Sequence, residues 1–140
     1  MAHRVIKQTE TMAIVKVWGL TGTTNDTITL ATDLLSPTMV ISGTPTVNIA
    51  GITWGVTPAA SDLITITRTS VPIAYLYQNG QMDFSGEWGI SEDTNNTADI
   101  NVTIVGSGVC YITLRKIAGY ASKIEPWIYG PYDNTTVVGA

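Results

Sequence analysis

The chain is poor in the residues that catalysis and metal binding use most often. Its 140 residues include one cysteine and one histidine. One cysteine cannot form an internal disulfide, and one residue of each kind cannot build a zinc site of the Cys/His type. The cysteine usage therefore gives no sign of an oxidising compartment.

Charge is scarce as well. Charged residues make up 13% of the chain against 44% hydrophobic residues, and the formal net charge is −4. Disordered chains and coiled coils need more charge than this, and proteins that bind nucleic acid are normally basic. We therefore expect a single folded domain, which suits this length, with no nucleic-acid partner.

Long apolar runs are also missing. No stretch approaches the roughly 20 apolar residues that span a bilayer as a helix. The first residues, Met1-Ala2-His3-Arg4-Val5-Ile6-Lys7-Gln8, are polar and lack the apolar centre of a signal peptide. We therefore expect a protein that is made in a cytoplasm and has no membrane partner.

The strongest local pattern in the chain is an alternation of apolar and polar residues with a period of two. It runs through residues 27–30, 63–68 and 100–104, where threonine and asparagine take most of the polar positions. Side chains alternate between the two faces of a strand, so each run predicts a strand with one apolar face. Residues 13–18 and 47–54 are predicted to be strands as well.

The alternation changes phase within the run 47–54. Val47 and Ile49 share one face of the predicted strand, whereas Ile52 and Trp54 fall on the other. The change occurs at Ala50-Gly51, and a glycine at such a point predicts a β-bulge or a bend between sheets. Trp54 is expected to lie in the core by this phase.

Turn residues predict two hairpins. Asn79-Gly80 separates the apolar runs 73–77 and 82–84, and Asn-Gly suits a two-residue type I′ turn because both positions need positive φ. Gly106-Ser107-Gly108 likewise predicts a hairpin between residues 100–105 and the strand that follows.

The fold class that these signals predict is all-β. Seven or eight short strands with regular turns indicate an antiparallel β-sandwich or a small barrel, and we expect the sandwich, of jelly-roll-like or immunoglobulin-like type. Helical signals are weak: residues 32–36 predict one short turn before Pro37, and a candidate helix at 117–123 is interrupted by Gly119. Because βαβ alternation is missing, a doubly wound nucleotide-binding fold is excluded.

The two ends differ in character from the middle, which predicts three parts. We expect an N-terminal arm at residues 1–11, a β-sandwich domain at 12–118 and a C-terminal arm at 119–140. The C-terminal arm holds a close group of large apolar side chains that need cover from water: Trp127, Ile128, Tyr129 and Tyr132. Three arrangements stay open, in which the arm folds over its own sandwich, lies on a neighbouring subunit, or is disordered.

The sequence shows no assembled set of catalytic residues. His3 lies beside the N-terminus, where order is usually poor, and is expected to be a solvated arm residue. Cys110 alternates with Ile112 and Leu114, so we expect a small core residue rather than a nucleophile. We therefore predict that the protein is not an enzyme.

Acidic residues gather between positions 83 and 99. They are Asp83, Glu87, Glu92, Asp93 and Asp99. A glycosidase-like acid pair or a calcium loop is conceivable, but the spacing lacks the pattern of an EF-hand loop, so a solvated loop without metal or cofactor is predicted. Trp88 lies in the same segment and is a candidate exposed aromatic that could stack on a sugar.

Nine short segments of the chain are distinctive as a set. They are 4–11 (RVIKQTET), 13–17 (AIVKV), 47–54 (VNIAGITW), 93–100 (DTNNTADI), 106–108 (GSG), 114–116 (LRK), 119–120 (GY), 122–126 (SKIEP) and 132–134 (YDN). With these segments the chain resembles a family of small structural proteins of marine tailed bacteriophages, notably those that infect cyanobacteria. The resemblance spans most of the chain and is most specific in the C-terminal half.

The resemblance implies a structural component of the virion, made in the host cytoplasm. We expect a decoration or cement protein of the head surface, with a tail or neck component and a carbohydrate- or receptor-binding module of the virion as alternatives. The implied partners are other virion proteins, the major capsid protein first among them, and further copies of the chain.

The expected interface lies on the two arms. Its residues are Arg4, Ile6, Lys123, Trp127, Ile128, Tyr129 and Tyr132. The large aromatics are expected to be the hot spots, because rigid aromatic side chains dominate such interfaces. Arg115, Lys116 and Lys123 are expected to meet acidic surfaces of a shell protein.

Overall fold

The structure is a computed structural model that describes residues 3–57, 61–83 and 96–122. Within these ranges every regular element is a β-strand, and no helix is long and apolar enough to cross a membrane. The strands are β1 (His3–Gln8), β2 (Met12–Gly19), β3 (Thr23–Ile28), β4 (Met39–Val56), β5 (Leu63–Arg68), β6 (Val71–Leu76), β7 (Asn79–Asp83), β8 (Ile100–Val105) and β9 (Gly108–Ser122).

The strands form two antiparallel sheets. Sheet A has the order β1-β2-β9-β4-β7, and sheet B has the order β3-β8-β5-β6. The inner faces of both sheets contribute to one hydrophobic core. The predicted β-sandwich is therefore confirmed, with nine strands in the described residues instead of the expected seven or eight; its jelly-roll-like or immunoglobulin-like type stays a prediction.

The period of two in the sequence explains the core. Along β2, β5 and β8, every second residue is buried, as a pleated strand with one face on a core requires. Threonine and asparagine take outward positions on β5 and β8. The most deeply buried side chains are Val15, Val17, Ile28, Leu34, Val47, Ile49, Ile64, Ile66, Ile100, Ile104, Cys110, Ile112 and Leu114.

The predicted bulge in β4 is present, but the predicted phase is wrong. The register of β4 on β9 shifts between Ile49 and Gly51. The extra residue reverses the alternation, so Ile49 and Ile52 both lie in the core and Trp54 packs against it. The bulge, in which Ala50 is the unpaired residue, thus keeps the apolar residues on both sides of it directed to the same core.

The hairpin predicted at Asn79-Gly80 is wrong. Strand β6 lies in sheet B and β7 in sheet A, so the chain changes sheets around Gln78, which has φ 58°. Gly80 lies within β7, opposite Trp54. A Cβ atom at Gly80 would lie 2.8 Å from the Trp54 ring, so this glycine makes room for an indole.

The hairpin predicted at Gly106-Ser107-Gly108 is also wrong. Strand β8 belongs to sheet B and β9 to sheet A, so this segment carries the chain from one sheet to the other. Gly106 has φ 85°, and the Asp62 side chain occupies the place where its Cβ would be. The Asp62 carboxylate also accepts a hydrogen bond from Thr57 Oγ1. These glycines therefore lie in the connection that carries the chain from sheet B to sheet A.

A two-residue turn does join β5 to β6, at Thr69-Ser70. Both residues have positive φ, 51° and 62°. Such a turn normally carries asparagine and glycine, because a branched Cβ is strained in the left-handed region. Neither residue is glycine or asparagine, and no turn was predicted here from the sequence.

The structure confirms the predicted short turn and contradicts the predicted helix. The short turn at 32–36 is present, with the Asp33 N–H donating to Thr29 O over 2.8 Å. The candidate helix at 117–123 is wrong through Ser122, because β9 continues to that residue with Gly119 at φ 88°. Residues 3–8 of the predicted N-terminal arm form β1, which pairs with β2. The proposed division into arms and domain stays a prediction.

The Thr69-Ser70 turn generates a stability test. We expect the double substitution T69N/S70G to raise the free energy of unfolding by about 1 kcal/mol, because both new residues accept positive φ more readily. Denaturant unfolding at a constant slope measures this. The matched control is T69A/S70A, which should give no gain; an unchanged or lower stability for T69N/S70G would contradict the turn geometry.

Candidate functional site

The two expected interface residues that the structure describes lie on strand β1. Arg4 is exposed, and Ile6 has 48% of its surface exposed. The other expected interface residues, and the candidate exposed aromatic Trp88, lie outside the described residues. They are Lys123, Trp127, Ile128, Tyr129 and Tyr132.

Strand β1 is one of the two outer strands of sheet A, with β7 at the other edge, and its shape opposes further strand pairing. Its register on β2 shifts between Val5 and Lys7, which makes Ile6 the extra residue of a bulge. Arg4 and Lys7 are exposed on the same short strand. A bulge and cationic side chains are the devices that keep outer strands from pairing with other chains. The strand is therefore suited to contacts through its side chains.

Strand β6, one of the two outer strands of sheet B, shows a similar arrangement. Pro72 has no N–H to donate, and the register on β5 shifts between Ile66 and Thr67. Next to this blunted edge, Tyr75 and Tyr77 expose 57% and 58% of their surfaces. Two aromatic rings thus stand beside a strand that is poorly suited to accept a further strand.

The prediction that His3 is a solvated arm residue is wrong. Its side chain is 3% exposed. The ring contacts two carboxylates, with Nδ1 at 2.7 Å from Asp26 Oδ2 and Nε2 at 3.2 Å from Asp33 Oδ2. The sequence did not indicate that His3 begins an ordered strand, because its contact with Asp26 joins residues that are 23 positions apart.

The two carboxylates set the protonation of His3. Burial alone lowers the pKa of His3, but the hydrogen bonds to Asp26 and Asp33 and their negative charges outweigh burial. The pKa therefore lies above its usual value of 6.5. With both ring nitrogens occupied and little access to solvent, the imidazole is poorly placed to act as a general base.

The prediction that Lys116 meets a partner's acidic surface is wrong, because Lys116 is buried. Its Nζ donates to Gln8 Oε1 and Thr9 O, each at 2.9 Å, and so holds the turn between β1 and β2. Burial lowers the pKa of Lys116, and the negative charge of Glu10 opposes that shift. Arg115, its neighbour, is exposed and stays a candidate contact residue.

Arg68 is a buried cation that sequence reasoning missed. It ends β5 with no exposed surface. Its Nη1 donates to Val47 O at 2.7 Å, Nη2 donates to Asn96 O at 3.0 Å and to Ala98 O at 2.7 Å, and Nε donates to Ala98 O at 3.0 Å. One guanidinium thus joins the end of a sheet B strand to a sheet A strand and to the segment before β8.

The residues around Arg68 complete a small polar cluster. Val47 N donates to Asn96 O over 2.9 Å, and Asn96 Nδ2 donates to Asn48 Oδ1 over 3.1 Å. These bonds seat the segment before β8 on β4. The signal that could have found Arg68 is its place in the alternation, because it shares the parity of Ile64 and Ile66 and so points to the core. Lys116 carries the same signal after Cys110, Ile112 and Leu114.

Tyr120 makes a further tie across the sandwich. Its hydroxyl, on β9 of sheet A, donates to Leu30 O, just beyond β3 of sheet B, over 2.5 Å. Burial and the negative charge of Asp99 raise the pKa of Tyr120 to about 12, against the opposing charge of Arg68. The hydroxyl therefore remains a donor at any physiological pH.

Cys110 lies in the core, as the alternation predicted, whereas Trp54 is partly buried at the border of the core. Cys110 is fully buried in the core, and burial raises the pKa of its thiol to about 12. A thiol of that kind is a packing group and not an activated nucleophile. Trp54 packs against the core, and its indole Nε1 donates to Tyr77 O over 3.0 Å.

The described carboxylates between positions 83 and 99 do not converge. Asp99 Oδ1 accepts the Leu30 N–H over 2.9 Å, a structural bond. Asp83 borders a shallow surface depression of about 230 Å³ and is the one acidic residue among those lining it. Across residues 3–57, 61–83 and 96–122, no group of three or more His, Cys, Asp or Glu is arranged to hold a metal ion. Glu87, Glu92 and Asp93 lie outside the described residues.

Comparison with known proteins adds no relative. No protein-family model matches the chain, and no curated protein matches it.

Removal of the Arg68 guanidinium is expected to destabilise the fold. We expect R68M to lower the free energy of unfolding by about 4 kcal/mol, because it leaves buried carbonyl groups without their donor. R68K keeps the charge but not the planar fork of donors, so about half that loss is expected. Denaturant unfolding of the full chain measures both.

The matched control for Arg68 is R115M, which removes an exposed arginine and should change stability by less than about 0.5 kcal/mol. An R68M loss as small as that of R115M would contradict a role for Arg68 in joining the sheets.

Proposed function

We propose that this protein is a structural protein of a tailed-bacteriophage virion, and that it decorates or cements the head surface by binding the major capsid protein. The sequence resemblance supports the virion role. The observation that carries the proposal is that three buried ionisable side chains are used in contacts within the fold. His3, Arg68 and Lys116 are all bonded to the chain's own atoms, which leaves the exposed side chains of the described residues as the groups that can bind a partner.

A rigid body is the first requirement of such a part. The two sheets share one core and are tied by polar contacts at three places: His3 to Asp26, Arg68 to Val47, and Tyr120 to Leu30. A body that keeps its shape loses little conformational entropy when it binds, so weak contacts are enough. Many copies on a regular shell then gain from multivalency.

The blunted outer strands indicate how such contacts would form. Strand addition at β1 is opposed by the bulge at Ile6, and strand addition at β6 is opposed by Pro72. Anchoring by side chains is favoured instead, through Arg4 and Ile6 on β1, and large aromatics are the usual hot spots of such interfaces. The aromatic residues of the predicted C-terminal arm belong to the same proposal.

The second candidate function, a carbohydrate-binding module of the virion, is favoured by one observation. Tyr75 and Tyr77 are both more than half exposed, and Tyr75 lies beside Thr65 in the register of sheet B. An exposed ring next to a neutral hydroxyl is the kind of pair that binds sugars by stacking and hydrogen bonding. A glycan-binding assay on the isolated protein, repeated with Y75A/Y77A, separates this function from head decoration.

The proposed function is tested on virions. Mass spectrometry of purified particles of the virus that encodes this chain should find it in many copies, and treatment that removes the heads from the tails should leave it with the heads. Its absence from purified particles would refute a structural role, and recovery with the tails would move it to the tail or neck.

The contact residues are tested by adding purified protein to heads that lack it. A chain that ends at Ser122 keeps all nine described strands, so its melting temperature should stay within about 3 °C of the full chain, while its binding to heads should be lost. R4A/I6A should weaken binding by about tenfold or more. The control is L20A, since Leu20 is 73% exposed but lies outside the expected interface. If the shortened chain melts far lower and still binds heads, the C-terminal residues serve the fold and the arm proposal fails.

A further inference from the structure

The two carboxylates that contact His3 are each fixed by a hydrogen bond from the backbone. Asp26 Oδ1 accepts the Thr27 N–H over 2.8 Å, and Asp33 Oδ2 accepts the Thr29 N–H over 2.8 Å. The carboxylates are therefore held in place by the backbone of β3 and of the turn after it. The imidazole of His3 lies between them and has little freedom to move.

This arrangement suits only one protonation state of the ring. A neutral imidazole has one N–H, so its other nitrogen would present a lone pair to a carboxylate oxygen. A doubly protonated imidazolium donates to Asp26 and to Asp33 at once, and its charge is opposed by theirs. The loss of one proton therefore turns one of the two attractive contacts into a repulsive one.

The contact joins the outer strands of the two sheets. His3 begins β1, one outer strand of sheet A, and Asp26 lies on β3, one outer strand of sheet B. We propose that His3, Asp26 and Asp33 form a proton-dependent latch that holds β1 against sheet B while the imidazole is doubly protonated and loosens β1 when one proton is lost. Arg4 and Ile6 follow His3 on the strand, so the latch controls how firmly these exposed residues are held.

Two negative charges act on the His3 ring, those of Asp26 and Asp33. Asp26 faces the ring from β3, and Asp33 faces it from the following turn. On β1 and β2 the nearest charges are Arg4 and Lys16, which pair with each other in the register. Each is one residue from the His3–Val17 pair, so alternation directs both to the opposite face of sheet A.

The sign of the pH dependence follows from the raised pKa of His3. A group whose pKa is higher in the folded state stabilises that state fully below its unfolded value of 6.5. The stabilisation is lost as the pH rises through the folded pKa. Strand β1 should therefore be held tightly in mild acid and more loosely in mild alkali, whatever surface the protein occupies.

The first measurement is an NMR titration of the ring protons, which belong to His3 alone because it is the single histidine. The midpoint should lie above 6.5, and D26N and D33N should each lower it. The control is K7Q, which removes an exposed charge from the same strand and should leave the midpoint nearly unchanged. A midpoint at or below 6.5 in the natural chain would overturn the latch.

The second measurement is amide hydrogen exchange between about pH 5 and about pH 8, corrected for the intrinsic pH dependence of exchange. The amides of β1 should lose protection above the His3 midpoint, by up to about tenfold for each unit by which the pKa is raised. The amides of β8 should not change. H3Q should abolish the pH dependence in β1. Equal pH dependence of β1 and β8 in the natural chain would overturn the proposal, and this comparison needs no variant to fold.

Discussion

The sandwich depends on a positive charge that has no exposed surface. A guanidinium in a protein interior is tolerated only when its donors find acceptors, because desolvation of an unpaired charge is too costly for a marginally stable fold. Arg68 meets that demand with carbonyl groups of Val47, Asn96 and Ala98. Since these acceptors lie on β4 and on the segment before β8, satisfying the charge brings two sheets and a connection into one arrangement.

The other buried ionisable groups likewise bond to acceptors within the chain, and so they hold parts of the fold together. His3 ties β1 to β3, and Lys116 holds the turn between β1 and β2. Groups that elsewhere would serve as base or nucleophile here close the fold. Among the described residues, exposed apolar and aromatic side chains lie on or beside the outer strands β1 and β6, and the proposed surface-binding role draws on these side chains.

The sequence predicted the sandwich and its core because alternation reports directly which face of a strand is buried, as in β2, β5 and β8. The turn residues predicted the hairpins wrongly. Gly80 makes room for the Trp54 indole, and Gly106 lies in the connection between the two sheets. The two-residue turn is formed by Thr69-Ser70 instead. Glycine reports a need for space or positive φ, and only the three-dimensional structure shows which. The parity of Arg68 and Lys116 points inward, but a cation is rarely buried without acceptors, and their acceptors lie far away in the chain. His3 had no such signal, and its partners are distant in the chain.

The most direct test of the account is the exchange rate of the Arg68 Nε–H with solvent, measured by NMR in the natural chain. If Arg68 joins the sheets, this proton exchanges only when the whole domain opens, so its protection equals that of the most protected core amides of β5 and β8. Protection no greater than that of the exposed Arg115 Nε–H would show that the guanidinium is not held between the sheets, and the account of the fold would fail with it.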